Sequence, residues 1–174
     1  MPTPTPRRDL EARLARFEAE HAVRAGMNRY MVLCDALDAR SPLAELAGLF
    51  TRNAVWEGIG EKYRASFGRI EGRTAIRAMF AKYMTEPAHF AVNVHFLTSE
   101  LIEVQGASEA TGTWVMLQTS TFASGASHLN AARLTVDFRR SKGGTWRMAH
   151  FRTENLFSRP VDAWNQADPL PVPK

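Results

Sequence analysis

The sequence predicts an α+β fold: a cone-shaped α+β barrel in which a curved antiparallel sheet carries helices packed across its concave face. Three observations predict it. Apolar residues recur at three- and four-residue spacing through most of the first half of the chain. After Pro87 the period shortens to two and stays there to about residue 157. Gly106, Gly125 and Gly143-Gly144 punctuate this second half as turns. Helices first and a meander second make an α+β domain, and 174 residues with 45% hydrophobic content supply one core.

The first helix is expected over residues 9–38. Leu10, Leu14 and Phe17 start the repeat, and Met27, Tyr30, Met31, Cys34 and Leu37 continue it, with Gly26 a candidate kink. Ser41-Pro42 restarts a helix, Ser as N-cap and Pro at the first helical position, and that helix runs to about residue 50. Residues 54–59 read as a strand. The glycine-containing stretch 59–69 reads as a loop that returns as a short strand, and residues 73–84 as a third helix with Ile76, Met79, Phe80 and Tyr83 inward. Four long strands follow at about 88–104, 109–122, 127–140 and 144–157. The domain is thus assigned to residues 9–158, after a disordered lead-in at 1–8 and before an extended proline-rich tail at 159–174.

Composition narrows the function classes. The net charge of +4 is spread out, with Arg139, Arg140 and Lys142 the one tight basic group, so no nucleic-acid partner is expected. No apolar run reaches membrane-spanning length and no secretion signal is visible, so no membrane partner is expected. The single cysteine, Cys34, lies in an apolar helical stretch and reads as a small core residue, consistent with a cytoplasmic location. The histidines form no i,i+4 helical pair and sit beside no carboxylate cluster, so no metal is expected.

Strand alternation sorts the side chains that face the concave side. In the last strand Trp146, Met148, His150, Arg152 and Leu156 share a face, absent a bulge. Asn130 points inward with Ala132 and Leu134, and Trp114, Met116, Gln118 and Ser120 share a face in the second long strand. His95 shares one with Asn93, Leu97 and Leu101, while His21, His89 and His128 default to the surface. Asp38 ends the first helix. Asp38, His95 and Arg152 gathered in one pocket would supply a carboxylate, an imidazole and a fixed cation, a set that can take a proton and steady the resulting negative charge. Trp56, Trp114, Met116, Gln118, Asn130, Met148 and His150 are the candidate substrate-binding lining, and their character suits a small apolar, ring-containing molecule.

Several stretches carry a family resemblance. Tyr30-x₇-Asp38, Leu46-Ala-Gly-Leu-Phe-Thr-Arg-Asn-Ala-Val-Trp56, Gly68-Arg-Ile-Glu-Gly-Arg-Thr-Ala-Ile76 and Gly144-Thr-Trp-Arg-Met-Ala-His-Phe-Arg152 resemble the SnoaL-like branch of the nuclear-transport-factor-2-like superfamily over about residues 20–158. Within it, Trp56-Glu-Gly-Ile-Gly60 and Asn155-Leu-Phe-Ser-Arg-Pro160 resemble hexachlorocyclohexane dehydrochlorinase. The scytalone-dehydratase and bile-acid-dehydratase type enzymes are the other look-alikes. The resemblance implies an Asp–His dyad at Asp38 and His95 with an arginine at Arg152, and hence a cofactor-independent lyase, dehydratase or isomerase. It also implies a homodimer or homotrimer. Two rival readings use the same fold. One is a non-catalytic small-molecule binding module, favoured because Leu33 and Cys34 stand where dehydratases carry a tyrosine. The other is a structural oligomerisation subunit, as in the β-subunits of ring-hydroxylating dioxygenases.

Overall fold

The computed structural model describes residues 6–162 and 164. Among the described residues, four helices and six strands follow one another: α1 (Pro6–Asp35), α2 (Leu43–Gly48), β1 (Phe50–Ile59), α3 (Gly60–Phe67), β2 (Arg69–Glu71), α4 (Arg73–Ala81), β3 (Phe90–Val104), β4 (Glu109–Phe122), β5 (Ser127–Arg140) and β6 (Trp146–Val161). The strands form one curved sheet in the order β2-β1-β6-β5-β4-β3. The expected meander is present, since β3, β4, β5 and β6 pair antiparallel in sequence order. β1 adds alongside β6 in parallel, the one parallel pairing in the sheet. The result is an α+β cone whose sheet stays open between its edge strands β2 and β3.

Element boundaries depart from the sequence reading at several places, among them the start of β1 at Phe50 rather than 54 and the end of α4 at Ala81 rather than 84. α1 begins at Pro6, inside the stretch assigned to the lead-in, and runs through Gly26. It also stops at Asp35 rather than 38, because Asp38 and Ser41 fold the next residues into a hydrogen-bonded turn that competes with the helix. Residues 59–69 hold a helix, α3, where a loop was expected. Gly68, at φ +63°, ends it with its N–H bonded to the Arg64 carbonyl, a positive-φ conformation that suits glycine. β6 continues to Val161, past the boundary drawn at 158, because it pairs with β5 as far as Ser127. Residues 1–5, 163 and 165–174, with most of the proposed lead-in and tail, lie outside the described residues.

The core forms where the C-terminal half of α1 crosses the sheet. Val23, Met27, Phe50, Ile76, Leu134, Val136, Phe138 and Met148 are essentially inaccessible. The first turns of α1 do not share this burial: Leu10, Leu14 and Phe17 keep the helical spacing yet are all exposed. Gly58 lets α3 fold back tightly on β1. A Cβ there would sit 2.3 Å from the Tyr63 carbonyl oxygen, so only a residue without a side chain allows the approach.

Candidate active site

Between the helices and the concave sheet face lies a cavity of about 350 Å³, within the usual size range of small-ligand sites. Its wall is mainly aromatic and apolar. Tyr30, Met31, Cys34 and Leu37 come from α1 and the turn after it. Trp56, Phe67, Met79, Phe80, Tyr83, Phe90, Phe122 and Phe151 supply most of the remaining apolar surface. Trp56 stacks on Phe151 at 5.7 Å and donates its indole N–H to the Tyr30 hydroxyl, which fixes this wall. Burial raises the Tyr30 phenol well above its ordinary pKa and pushes the Cys34 thiol up to about 12, so both stay protonated at neutral pH. A thiol held protonated is a poor nucleophile, and Cys34 lines the cavity as a small apolar side chain.

A polar row crosses the floor of this cavity. His95 on β3 is in register with Gln118 on β4, Gln118 with Asn130 on β5, and Asn130 with Ser158 on β6. All four line the cavity, as do Asn93, Ser120, Tyr63 and Thr153. Among the described residues that line it there is no arginine, lysine or carboxylate.

The carboxylate that meets His95 is Asp35. Its Oδ1 accepts the His95 backbone N–H at 3.0 Å and lies 2.5 Å from ring Nδ1. β3 is an edge strand, so the His95 N–H has no strand neighbour on that side, and the last residue of α1 fills the vacancy. A carboxylate only accepts, so the neutral imidazole carries its proton on Nδ1 and leaves Nε2 as the basic nitrogen. Asp35 is the partner of His95 that the sequence reading passed over. It continues the inward row Met27–Met31 by another four residues, a signal present in the helix periodicity.

Asp38 is corrected accordingly. Its Oδ1 accepts from the Arg40 backbone N–H at 2.8 Å and lies 3.1 Å from the Ser41 hydroxyl, bonds that hold its carboxyl below the ordinary range. It is a turn residue, three positions past the helix end.

Arg152 and His150 are also corrected. Met148 pairs with Phe138 and His150 with the preceding residue Asp137, so Ala149 is an extra, bulged residue. Beyond the bulge the alternation reverses. Phe151 and Thr153 face the core, and His150 and Arg152 face outward. There Arg152 Nη2 lies 2.7 Å from both Asp137 Oδ2 and His150 Nδ1, and His150 Nε2 lies 2.6 Å from Glu57 Oε1. Arg69 reaches the other Glu57 oxygen at 3.0 Å. Burial alone would raise the Glu57 pKa, but the bonds from Arg69 and His150 outweigh it and hold the carboxyl below its ordinary value.

Of the proposed lining residues, Trp56, Met116, Gln118 and Asn130 do line the cavity. Trp114 and Met148 point inward but are sealed in the core, with the Trp114 indole N–H bonded to Glu100 at 3.1 Å. His89 and His128, assigned to the surface from sequence, stand in the cavity wall, where both pack on the Phe122 ring. Their signal was weak because each lies beside a strand end, where two-residue alternation has just begun. Among the described residues no group of three His, Cys, Asp or Glu could hold a metal ion, and no helix is long and apolar enough to cross a membrane.

The fold has close counterparts among solved structures. LinA superposes with a TM-score of 0.71 at 22% identity, covering 90% of this chain and 98% of that one. The hexachlorocyclohexane dehydrochlorinase LinA-type3 from Novosphingobium barchaimii gives 0.70 at 18% identity, covering 90% and 99%. A scytalone dehydratase-like protein from Novosphingobium aromaticivorans gives 0.70 at 14% identity, covering 88% and 98%. The search of curated proteins gave no match. The family model of the SnoaL-like domain matches residues 15–152. With that match over most of its length, and with the helix-covered sheet described above, the chain belongs to the SnoaL-like domain family.

Proposed function

We propose that the chain is a lyase or isomerase that takes a proton from carbon of a small, apolar, ring-containing molecule, with His95 as general base and Asp35 as the group that orients it. The observation that carries this reading is the 2.5 Å contact between Asp35 Oδ1 and His95 Nδ1 at the wall of a mainly apolar cavity. Asp35 fixes the tautomer and stabilises the imidazolium that forms when Nε2 takes the proton. The apolar wall excludes water from the carbanion or enolate. The likeness in fold to dehydrochlorinases and to a scytalone dehydratase-like protein supports elimination or proton transfer as the reaction class. No step needs a cofactor beyond these residues.

The test uses two probes. One is deuterium uptake at the acidic carbon of 2-tetralone in D₂O, followed by proton NMR. The other is chloride release from hexachlorocyclohexane. Wild-type protein should accelerate at least one of them. General-base removal typically costs about 10²–10⁴-fold, so His95→Ala should lose at least a hundredfold, with Asp35→Asn reduced in the same direction. Turnover by His95→Ala as fast as wild type would reject the assignment.

A second reading is a non-catalytic binding module for a neutral ligand. It is favoured by one observation, the absence of a cation among the described lining residues. A ligand retained through purification, with affinity indifferent to His95→Ala and neither probe turned over, selects it.

A further inference from the structure

Four side-chain amides run through the sheet as one chain with a fixed sense, and both of its ends are anchored on backbone carbonyls. At one end Asn155 Nδ2 meets the Ala131 and Phe157 carbonyls at 3.4 and 3.0 Å, and also Asn130 Oδ1 at 2.9 Å. A carbonyl can only accept, so the atom facing it must be the amide nitrogen. Asn130 must therefore turn its own nitrogen the other way. It donates at 2.7 Å to the Tyr63 hydroxyl and at 3.3 Å to Gln118 Oε1. At the opposite end Asn93 Nδ2 donates to the Cys34 carbonyl at 3.1 Å, so Asn93 Oδ1 receives Gln118 Nε2 at 2.8 Å. Both anchors demand the same orientation of Gln118.

This sense has a consequence at Tyr63. Its oxygen accepts from Asn130, and among the described residues none takes its proton. Tyr63 is buried and lines the cavity. A buried hydroxyl with an occupied acceptor side has its donor side available to a ligand.

We propose that Tyr63 is a ligand-binding donor for an acceptor oxygen, a ketone carbonyl or an enolate or phenolate oxygen on an apolar ring, and that Asn155, which does not line the cavity, is the positioning residue that makes it a donor. The inference rests on the reading above in taking this cavity as the ligand site. Its test reads binding alone, so it fails or holds separately from the proton-transfer step.

The probes are 4-nitrophenolate, which presents a charged acceptor oxygen, and nitrobenzene, which lacks it. Wild type should bind 4-nitrophenolate the more tightly. Tyr63→Phe should weaken 4-nitrophenolate about tenfold and leave nitrobenzene within about twofold. Asn155→Asp offers only acceptors, so Asn130 turns over, its Oδ1 captures the Tyr63 proton, and a similar selective loss is expected. Should Asn155→Asp fail to fold, Asn155→Ala, which frees Asn130 to rotate, carries the same comparison with a smaller selective loss. The proposal is overturned by a wild type with no preference for 4-nitrophenolate. It is equally overturned by an unchanged preference in Tyr63→Phe or in the folded Asn155 variants, or by losses of equal factor for both probes.

Discussion

Two aspartates three residues apart divide between structure and site according to where α1 ends. Asp35 is still helical and reaches the exposed edge of β3, while Asp38 has left the helix and closes a turn. The lowered Asp38 pKa fixes the sign of a pH effect. Its turn contributes stability above the unfolded carboxylate pKa of about 4, and the contribution is lost as pH falls through the lower folded value. Asp38→Asn should therefore flatten the acid limb of the stability curve slightly and leave ligand binding unchanged, as read by denaturant titration across that range. The inward parity of Gln118 and Asn130 was legible in the sequence because each lies in a regularly alternating run, whereas that of His95 was weaker because apolar Val92, Val94 and Phe96 occupy the opposite face of its strand. Asp35 was legible in the helical period but was masked by a second aspartate at the more obvious end of the segment.

The elements decide which residues the alternation delivers to the cavity. One bulged residue, Ala149, sends His150 and Arg152 to the outer face and brings Phe151 and Thr153 inward. A residue inserted without a partner shifts a period of two by one, and the side chains change face until a second register shift, between Asn155 and Phe157, restores the original parity and returns Ser158 to the cavity. The displaced pair then joins Glu57 and Asp137 in a polar network over β1, β6 and β5, spanning the sheet's parallel seam. Arg152→Met should lower stability by about 1–3 kcal/mol, because it removes charge-assisted hydrogen bonds at a half-buried position. It should leave the affinity for cavity ligands unchanged. A large loss of binding or turnover in this variant, with the fold intact, would restore Arg152 to the site. α3 shows the complementary limit. The short helix brings Tyr63 to the cavity, but its composition resembles a polar loop, and the Gly58 contact that seats it is a tertiary one.

For the whole molecule, the cone arises because one curved sheet face must be covered and the helices cover it unevenly. They pack densely over Phe50, Ile76, Phe138 and Met148 and leave a cavity beside the start of β3, the end of β4 and the start of β5. Ile76→Ala in the dense part should cost about 2–5 kcal/mol, measured by chemical denaturation, with little effect on the ligand cavity. The α+β class, the meander and the apolar character of the inward strand faces followed from the sequence alone. Periodicity, turn residues and composition are local properties that a chain carries in any context. The partner of His95, the exile of Arg152, the burial of Trp114 and Met148, and the recruitment of Tyr63 and Asn155 were decided only in the tertiary structure. Each depends on where a helix stops, where a strand bulges, or which carbonyl an amide meets across the sheet. Such contacts join residues tens of positions apart, and one-residue shifts in local geometry redirect them.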